Sequence, residues 1–241
     1  SINIKNNLTI NNTAIDLSSK YTYFNYSVNN LNNNNNWTSI VRAPELNLFV
    51  AVSNTGTGNR VITSSDGINW TTRTSAVDNN WTSIAWSPVL NLFAAVSNSG
   101  TGNRIMTSAD GITWTSQISP VDNNWTSICW ASSINLFVAV SNTGTGDRVM
   151  TSSNGINWTS RTPATNNNWN SVCWSSDLNL LVAVSTSGTG DRVMTSSDGI
   201  TWTSRTSAVD NTWNSVCWAS DLNLFVAIAS TGTNRVMTSA N

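Results

Sequence analysis

Four nine-residue stretches of this chain are near copies: TSSDGINWT from Thr63, TSADGITWT from Thr107, TSSNGINWT from Thr151 and TSSDGITWT from Thr195, each starting 44 residues after the last. A turn that recurs at a fixed period forces the structure around it to recur as well. Trp37, Trp81, Trp125, Trp169 and Trp213 open five copies of the unit. In the second copy, strand-like runs lie near Trp81–Trp86, Leu92–Ser97, Arg104–Ser108 and Ile112–Ser116, with turn signals at Ser87-Pro88, Gly100-Thr101-Gly102 and Ala109-Asp110-Gly111 between them. No segment sustains a 3.6-residue apolar period, so helices should be nearly absent. Four short strands per unit of this length predict an all-β, five-bladed β-propeller of four-stranded antiparallel blades.

The fifth copy runs only from Trp213 to Asn241, and its complement stands at the other end of the chain. Aligning YFNYSVNNLNNNNNW (Tyr23–Trp37) with GINWTTRTSAVDNNW (Gly67–Trp81) puts Tyr26 where Trp70 stands. The sequence therefore predicts that residues 23–36 supply the outer strand of the last blade and close the ring, leaving no sheet edge open. The domain so drawn spans 23–241. Residues 1–22 read as a tail or connector.

Composition narrows the function classes. A net charge of −1 with 10% charged residues gives no basic surplus for phosphates, so nucleic acid is not an expected partner. Apolar runs such as Leu48–Val52 are strand-sized, far below the roughly 20 residues of a membrane helix. No signal peptide is visible near Ser1, and the missing initiator Met points to a trimmed product. Cys129, Cys173 and Cys217 recur once per copy, which fits small buried side chains better than a disulfide framework and leans toward a reducing compartment, although an extracellular or virion surface stays open. Sequons such as Asn80-Trp81-Thr82 are a by-product of an Asn- and Thr-rich composition.

In the recurring turn, the side chain of Asp66 can accept from backbone N–H groups of its own turn, and Gly67 permits a positive φ. The pattern of Ser64, Asp66, Gly67 and Trp70 resembles the Asp-box, or BNR repeat, of sialidase-type propellers. One residue is missing between Asp and Gly in every copy, and Asn154 and Asn241 replace the Asp in two of them. The resemblance implies a structural turn, remote from any active site, for Asp66, Gly67, Asp110, Gly111, Asn154, Gly155, Asp198 and Gly199.

A catalytic reading finds little to stand on. The chain lacks histidine, and its carboxylates fall almost entirely at repeated positions, where they share one environment instead of the contrasting ones an acid and a base need. Asp16 and Glu45 are the exceptions. The expectation is no enzyme, no catalytic residue, no metal and no cofactor. A binding module fits better. The loops NTGTGNR, NSGTGNR, NTGTGDR, TSGTGDR and STGTNR should share a face with the blade junctions and form five similar clefts. Their candidate ligand groups are Asn59, Arg60, Asn103, Arg104, Asp147, Arg148, Asp191, Arg192, Asn234 and Arg235, with Trp37, Trp81, Trp125, Trp169 and Trp213 as stacking planes or core. Amides, carboxylates and rings suit sugar hydroxyls and C–H faces, so the sequence predicts a monomeric, lectin-like propeller with a glycan or protein ligand. The alternative is a structural or protein-interaction propeller within a larger assembly at a virion or cell surface.

Overall fold

The computed structural model describes the backbone of residues 7–10 and 13–16, and residues 34–240 in full. The chain divides into two units, residues 1–32 and residues 33–241. In the first, β1 (Asn7–Ile10) and β2 (Thr13–Asp16) pair as an antiparallel hairpin, within the stretch expected to be a tail or connector.

The second unit is a run of five antiparallel sheets, each a simple meander. The first sheet holds β3 (Trp37–Ala43), β4 (Leu48–Ser53), β5 (Val61–Ser64) and β6 (Thr71–Arg73). The second holds β7 (Trp81–Ser87), β8 (Leu92–Ser97), β9 (Ile105–Ser108) and β10 (Thr115–Gln117). The third holds β11 (Trp125–Ala131), β12 (Leu136–Ser141), β13 (Val149–Ser152) and β14 (Thr159–Arg161), with a single 3₁₀ turn at Ser132–Ile134. The fourth holds β15 (Trp169–Ser175), β16 (Leu180–Ser185), β17 (Val193–Ser196) and β18 (Thr203–Arg205). The last has three described strands, β19 (Trp213–Ala219), β20 (Leu224–Ala229) and β21 (Val236–Ser239).

The outermost strand differs from the sequence reading. Residues 112–114 lie in the turn, and β10 starts only at Thr115. The cause is local: one carboxylate oxygen of Asp110 accepts from both Ile112 N–H and Thr113 N–H at 2.8 Å, so neither donor is left for the ladder. The first turn of each sheet ends in a left-handed asparagine, at Asn47, Asn91, Asn135, Asn179 and Asn223, with φ between 48° and 50°. Asparagine tolerates that region better than other residues with a side chain.

Each inner strand packs on the one before it, β7 on β3 and so on to β19 on β15. The seam between sheets is where the apolar surface goes. Val50, Val52 and Val61 of the first sheet meet Trp81, Ile84, Trp86, Phe93, Met106 and Trp114 of the second. The third sheet repeats this against the second, and the fourth against the third. As expected from alternation, Ile84 and Trp86 share this inter-sheet face. Side-chain hydroxyls stitch the same seam near the inner strands. Thr82 Oγ1 donates to the Trp125 carbonyl at 2.7 Å, and Ile128 N–H donates to Ser83 Oγ at 3.2 Å. A bulge between Trp81 and Ser83, repeated at Trp37, Trp125, Trp169 and Trp213, aims Thr82 and Ser83 at the neighbouring sheet.

The two end sheets differ from the inner ones. Ile40 is 57% exposed where its counterpart Ile84 is 5%, and Val236 is 61% exposed where Val149 is fully buried. The outer strand expected from residues 23–36 falls mostly on 23–33, outside the described residues. Its last three residues already follow the pattern of the other junctions, since Asn35 Nδ2 donates to the Asn59 carbonyl at 2.9 Å as Asn79 Nδ2 does to that of Asn103 at 2.8 Å. Among the described residues no helix is long and apolar enough to cross a membrane.

The opening tryptophans carry the inner seam, so truncating one leaves a large void. Trp125→Ala is expected to cost about 3–5 kcal/mol, read as a lower urea midpoint at unchanged slope.

Candidate functional site

The candidate ligand groups all belong to two kinds of segment that meet at one end of the sheets. One is the loop between the second and third strands; the other is the junction from one sheet to the next. The triplet Asp78-Asn79-Asn80 shows the geometry. Asp78 accepts Gly58 N–H of the loop behind it, at 2.8 and 3.0 Å through its two oxygens. Asn79 Nδ2 reaches forward to the carbonyl and Oδ1 of Asn103 at 2.8 and 3.1 Å. Asn80 N–H donates to Ser99 Oγ at 2.8 Å, while Asn80 Oδ1 accepts from Arg60 Nη1 at 3.0 Å. One junction thus latches the loops of both flanking sheets.

The arrangement recurs with conservative exchanges. Asp122, Asn166 and Asp210 each accept the glycine N–H of their loop, Gly102, Gly146 and Gly190, at 2.8 Å. Asn123 and Asn167 donate forward to Asp147 and Asp191, and Asn211 donates to the Asn234 carbonyl. Within each loop, Nε of Arg60, Arg104, Arg148 and Arg192 donates to a glycine carbonyl four residues back, and Nη1 to a second loop carbonyl. Arg60, Arg104 and Arg192 also stand 3.6–3.7 Å from Asp78, Asp122 and Asp210. Arg235, in the shortened last loop, donates Nε to the Gly232 carbonyl at 2.7 Å and is exposed.

This placement changes the reading of the clefts. The structure does bring the loop arginines, Asn59, Asn103, Asp147 and Asp191 together with the junction amides. It commits them to one another, so the rim is a hydrogen-bonded belt. Trp81, Trp125, Trp169 and Trp213 are fully buried and offer no ring to a ligand. Trp37 is half-buried. The junction amides, expected from the sequence as ligand groups of the clefts, instead form the forward half of each latch.

At the opposite end of the sheets sits the recurring turn. Ser64 Oγ donates to Asp66 at 2.9 Å and accepts Gly67 N–H at 2.8 Å; Asp66 accepts Ile68 N–H and Asn69 N–H at 2.8 and 2.7 Å; Trp70 Nε1 donates back to the Gly67 carbonyl at 3.2 Å. Backbone donors from Asn69, then the Asn69 side chain, Ile68 and Ser64, hold the Asp66 carboxyl far below the usual carboxylate range. Burial pushes Asp110 and Asp198 up, but the donors of their turns outweigh it and both end lower than usual. Asn154 accepts the same two backbone donors at 2.9 Å without a charge. Glycine is required here for space as well as for φ, because a Cβ on Gly111 would stand 2.7 Å from Leu48 of the preceding sheet.

Glu45, off the repeated pattern, and Asp177, on it, also have partners. Trp86 Nε1 donates to Glu45 at 2.9 Å and Trp218 Nε1 to Asp177 at 2.7 Å, each across a seam. Val89 and Ser133 occupy the equivalent turn positions in between, and the buried indole N–H groups of Trp130 and Trp174 lack a hydrogen-bond partner. All three cysteines are free thiols; burial pushes Cys129 well up and Cys173 up to about 12, while Cys217 is exposed on the last sheet. Among the described residues no group of three or more Cys, Asp or Glu side chains is placed to hold a metal ion.

No family model and no curated protein matches the chain. Solved structures do. A streptogramin B lyase superposes at a TM-score of 0.66 with 12% identity, over 87% of this chain and 70% of that one. The Cps50 (Swd1) β-propeller domain of Myceliophteria thermophila gives 0.60 and 11%, over 82% of this chain and 63% of its own length. A chain of a mitotic checkpoint complex gives 0.63 and 12%, over 84% and 60%. The fold is that of a β-propeller. At these identities the likeness carries the fold alone, and the chain spans less than two thirds of the Cps50 propeller domain.

Two outcomes follow from the propeller's polar contacts. Val89→Glu places a carboxylate where Glu45 serves Trp86, so it should satisfy the Trp130 indole and raise stability by about 0.5–1.5 kcal/mol in urea denaturation. Because the folded-state pKa values of Asp66, Asp110 and Asp198 are depressed, their stabilisation is present above the unfolded value of about 4 and is lost as pH falls toward the folded ones. The triple variant Asp66→Asn, Asp110→Asn and Asp198→Asn keeps the turn's acceptor, as Asn154 does. Its thermal midpoint should therefore fall less between pH 5 and pH 2 than that of the parent.

Proposed function

We propose that this propeller is a non-catalytic protein-interaction module whose docking surface is the end bearing the recurring turns. One observation carries the reading. At that end Ile68, Ile112, Ile156 and Ile200 are exposed at equivalent positions of four successive turns, joined by Val89, Leu178 and Leu222 of the adjacent first turns. An antiparallel meander brings those two sets of turns to the same end, and Asn91 Nδ2 of a first turn reaches the Ala109 carbonyl beside a recurring one. A periodic ring of aliphatic tips is poor at binding polar ligands and well suited to an apolar protein surface.

The other end supports neither sugar binding nor chemistry as well. Sugar recognition needs free amide, carboxylate and guanidinium groups with an accessible ring, and here those groups bond to each other while four of the five rings are enclosed. Catalysis needs carboxylates free to exchange protons. Those of Asp66, Asp110 and Asp198 hold turns, Asp78, Asp122 and Asp210 hold loops, and Glu45 and Asp177 hold indoles. Within this reading the turn is a shortened relative of the Asp-box with a purely structural role. Two of the structural neighbours, a nidogen/laminin complex and the mitotic checkpoint complex, are themselves protein assemblies, in keeping with such a role.

The test is a variant with Ile68, Ile112, Ile156 and Ile200 all changed to Asp. Its circular dichroism should match the parent, and a partner retained by the immobilised parent should be lost. Saturable binding of a defined sugar, abolished by Asn103→Ala, would overturn the reading in favour of a carbohydrate ligand.

A further inference from the structure

We propose that the turn end takes a cationic amphipathic segment of its protein partner, one that sets Lys or Arg side chains beside apolar ones. The proposal rests on the turn-face reading and names the chemistry of the partner.

The turns at this end form one surface. The glycine of a recurring turn abuts the start of the second strand in the preceding sheet, since a Cβ on Gly111 or Gly199 would stand 2.7 or 2.8 Å from Leu48 or Leu136. Leu48 and Leu136 directly follow the left-handed asparagines that end the first turns of their sheets. First and recurring turns therefore adjoin across these seams. Carboxylates stand within two residues of most of the exposed tips: Asp66 before Ile68, Asp110 before Ile112, Asp198 before Ile200, Asp177 before Leu178 and Asp221 before Leu222. Glu45, in the first turn of the first sheet, makes a sixth, and all six of these acidic residues are exposed.

These charges do not cancel. Among the described residues the cation of this end is Arg42, whose guanidinium lies 4.6 Å from the centre of the Phe49 ring while its Nη2 donates to Asn47 Oδ1. The two lysines of the chain, Lys5 and Lys20, lie outside the described residues; wherever they stand, these three cations are half as many as the six carboxylates. The turn carboxylates accept from backbone N–H groups, and Glu45 and Asp177 accept from indoles, all neutral donors that leave the negative charge in place. The junction end differs, because there Arg60, Arg104 and Arg192 pair with Asp78, Asp122 and Asp210 at 3.6–3.7 Å. Arg73, Arg161 and Arg205 stand opposite the first residue of the third strand, at the end of that strand away from the recurring turn. Uncompensated carboxylates set beside aliphatic tips attract a partner with cations at matching places and repel an acidic one. They also oppose contact with an anionic lipid surface, which the apolar tips alone would not.

The test uses two fluorescein-labelled peptides, LKKLLKLLKKLLKL and its acidic counterpart LEELLELLEELLEL, titrated with the full chain and read by anisotropy. Saturable binding of the lysine peptide is expected, weakened about tenfold or more between roughly 0.05 and 0.5 M NaCl as salt screens the exposed charges. Asp66→Asn, Asp110→Asn and Asp198→Asn together keep the turn acceptors and should weaken it roughly fivefold or more. Ile68→Thr, Ile112→Thr, Ile156→Thr and Ile200→Thr together should abolish it. Equal binding of the glutamate peptide, or lysine-peptide binding indifferent to the three Asn changes, would overturn the proposal; the turn-face reading would still stand if the Thr changes removed that binding. Binding indifferent to the Thr changes would overturn both. Absence of saturation by the lysine peptide up to about 1 mM, or binding of the chain to phosphatidylserine vesicles, would also overturn the proposal.

Discussion

The packing of one sheet against the next is the interaction on which everything else rests. A four-stranded sheet of strands three to seven residues long cannot bury its own apolar faces. At the seams an aliphatic face of one sheet meets an aromatic face of the next, and the two interlock. Val50, Val52 and Val61 receive Trp81, Trp86, Phe93 and Trp114, and the same pairing follows at the next two seams. Stability is therefore shared between neighbours in a line, as in other repeat architectures. Ile40 and Ile228 of the end sheets are exposed while their counterparts in the inner sheets are buried.

Polar groups are arranged around that apolar seam so that no loop is held by one sheet alone. At one end, each junction triplet takes a glycine N–H from the loop behind and gives an amide to the loop ahead. At the other, indole N–H groups reach carboxylates of the preceding sheet where Glu45 and Asp177 exist. These bonds run across the seam and fix its register, while the hydrophobic contact supplies most of the free energy. The two ends consequently differ in character. The junction end binds its loop and junction groups largely to one another, whereas the turn end carries exposed aliphatic tips.

Much of this was legible in the repeat. The period, the four strands, the near absence of helix and the packing face of Ile84 and Trp86 all follow from spacing and alternation, because those signals are local. The start of the outer strand was not legible, since whether Ile112 and Thr113 join a ladder depends on where the Asp110 carboxylate points. The same limit applies to the candidate site. Arg104 and Asn103 look like ligand groups in a loop, and only the fold shows Asn124 and Asn79 arriving from the adjacent junctions to engage them.

By itself the sequence determined that this protein is a series of equivalent β-sheets with a pinned outer turn in four of them, because periodic identity and turn chemistry act within a few residues of themselves. Tertiary structure alone decided which polar groups are spent and which surfaces are left. Donors and acceptors about 20 residues apart find each other only once two sheets have docked.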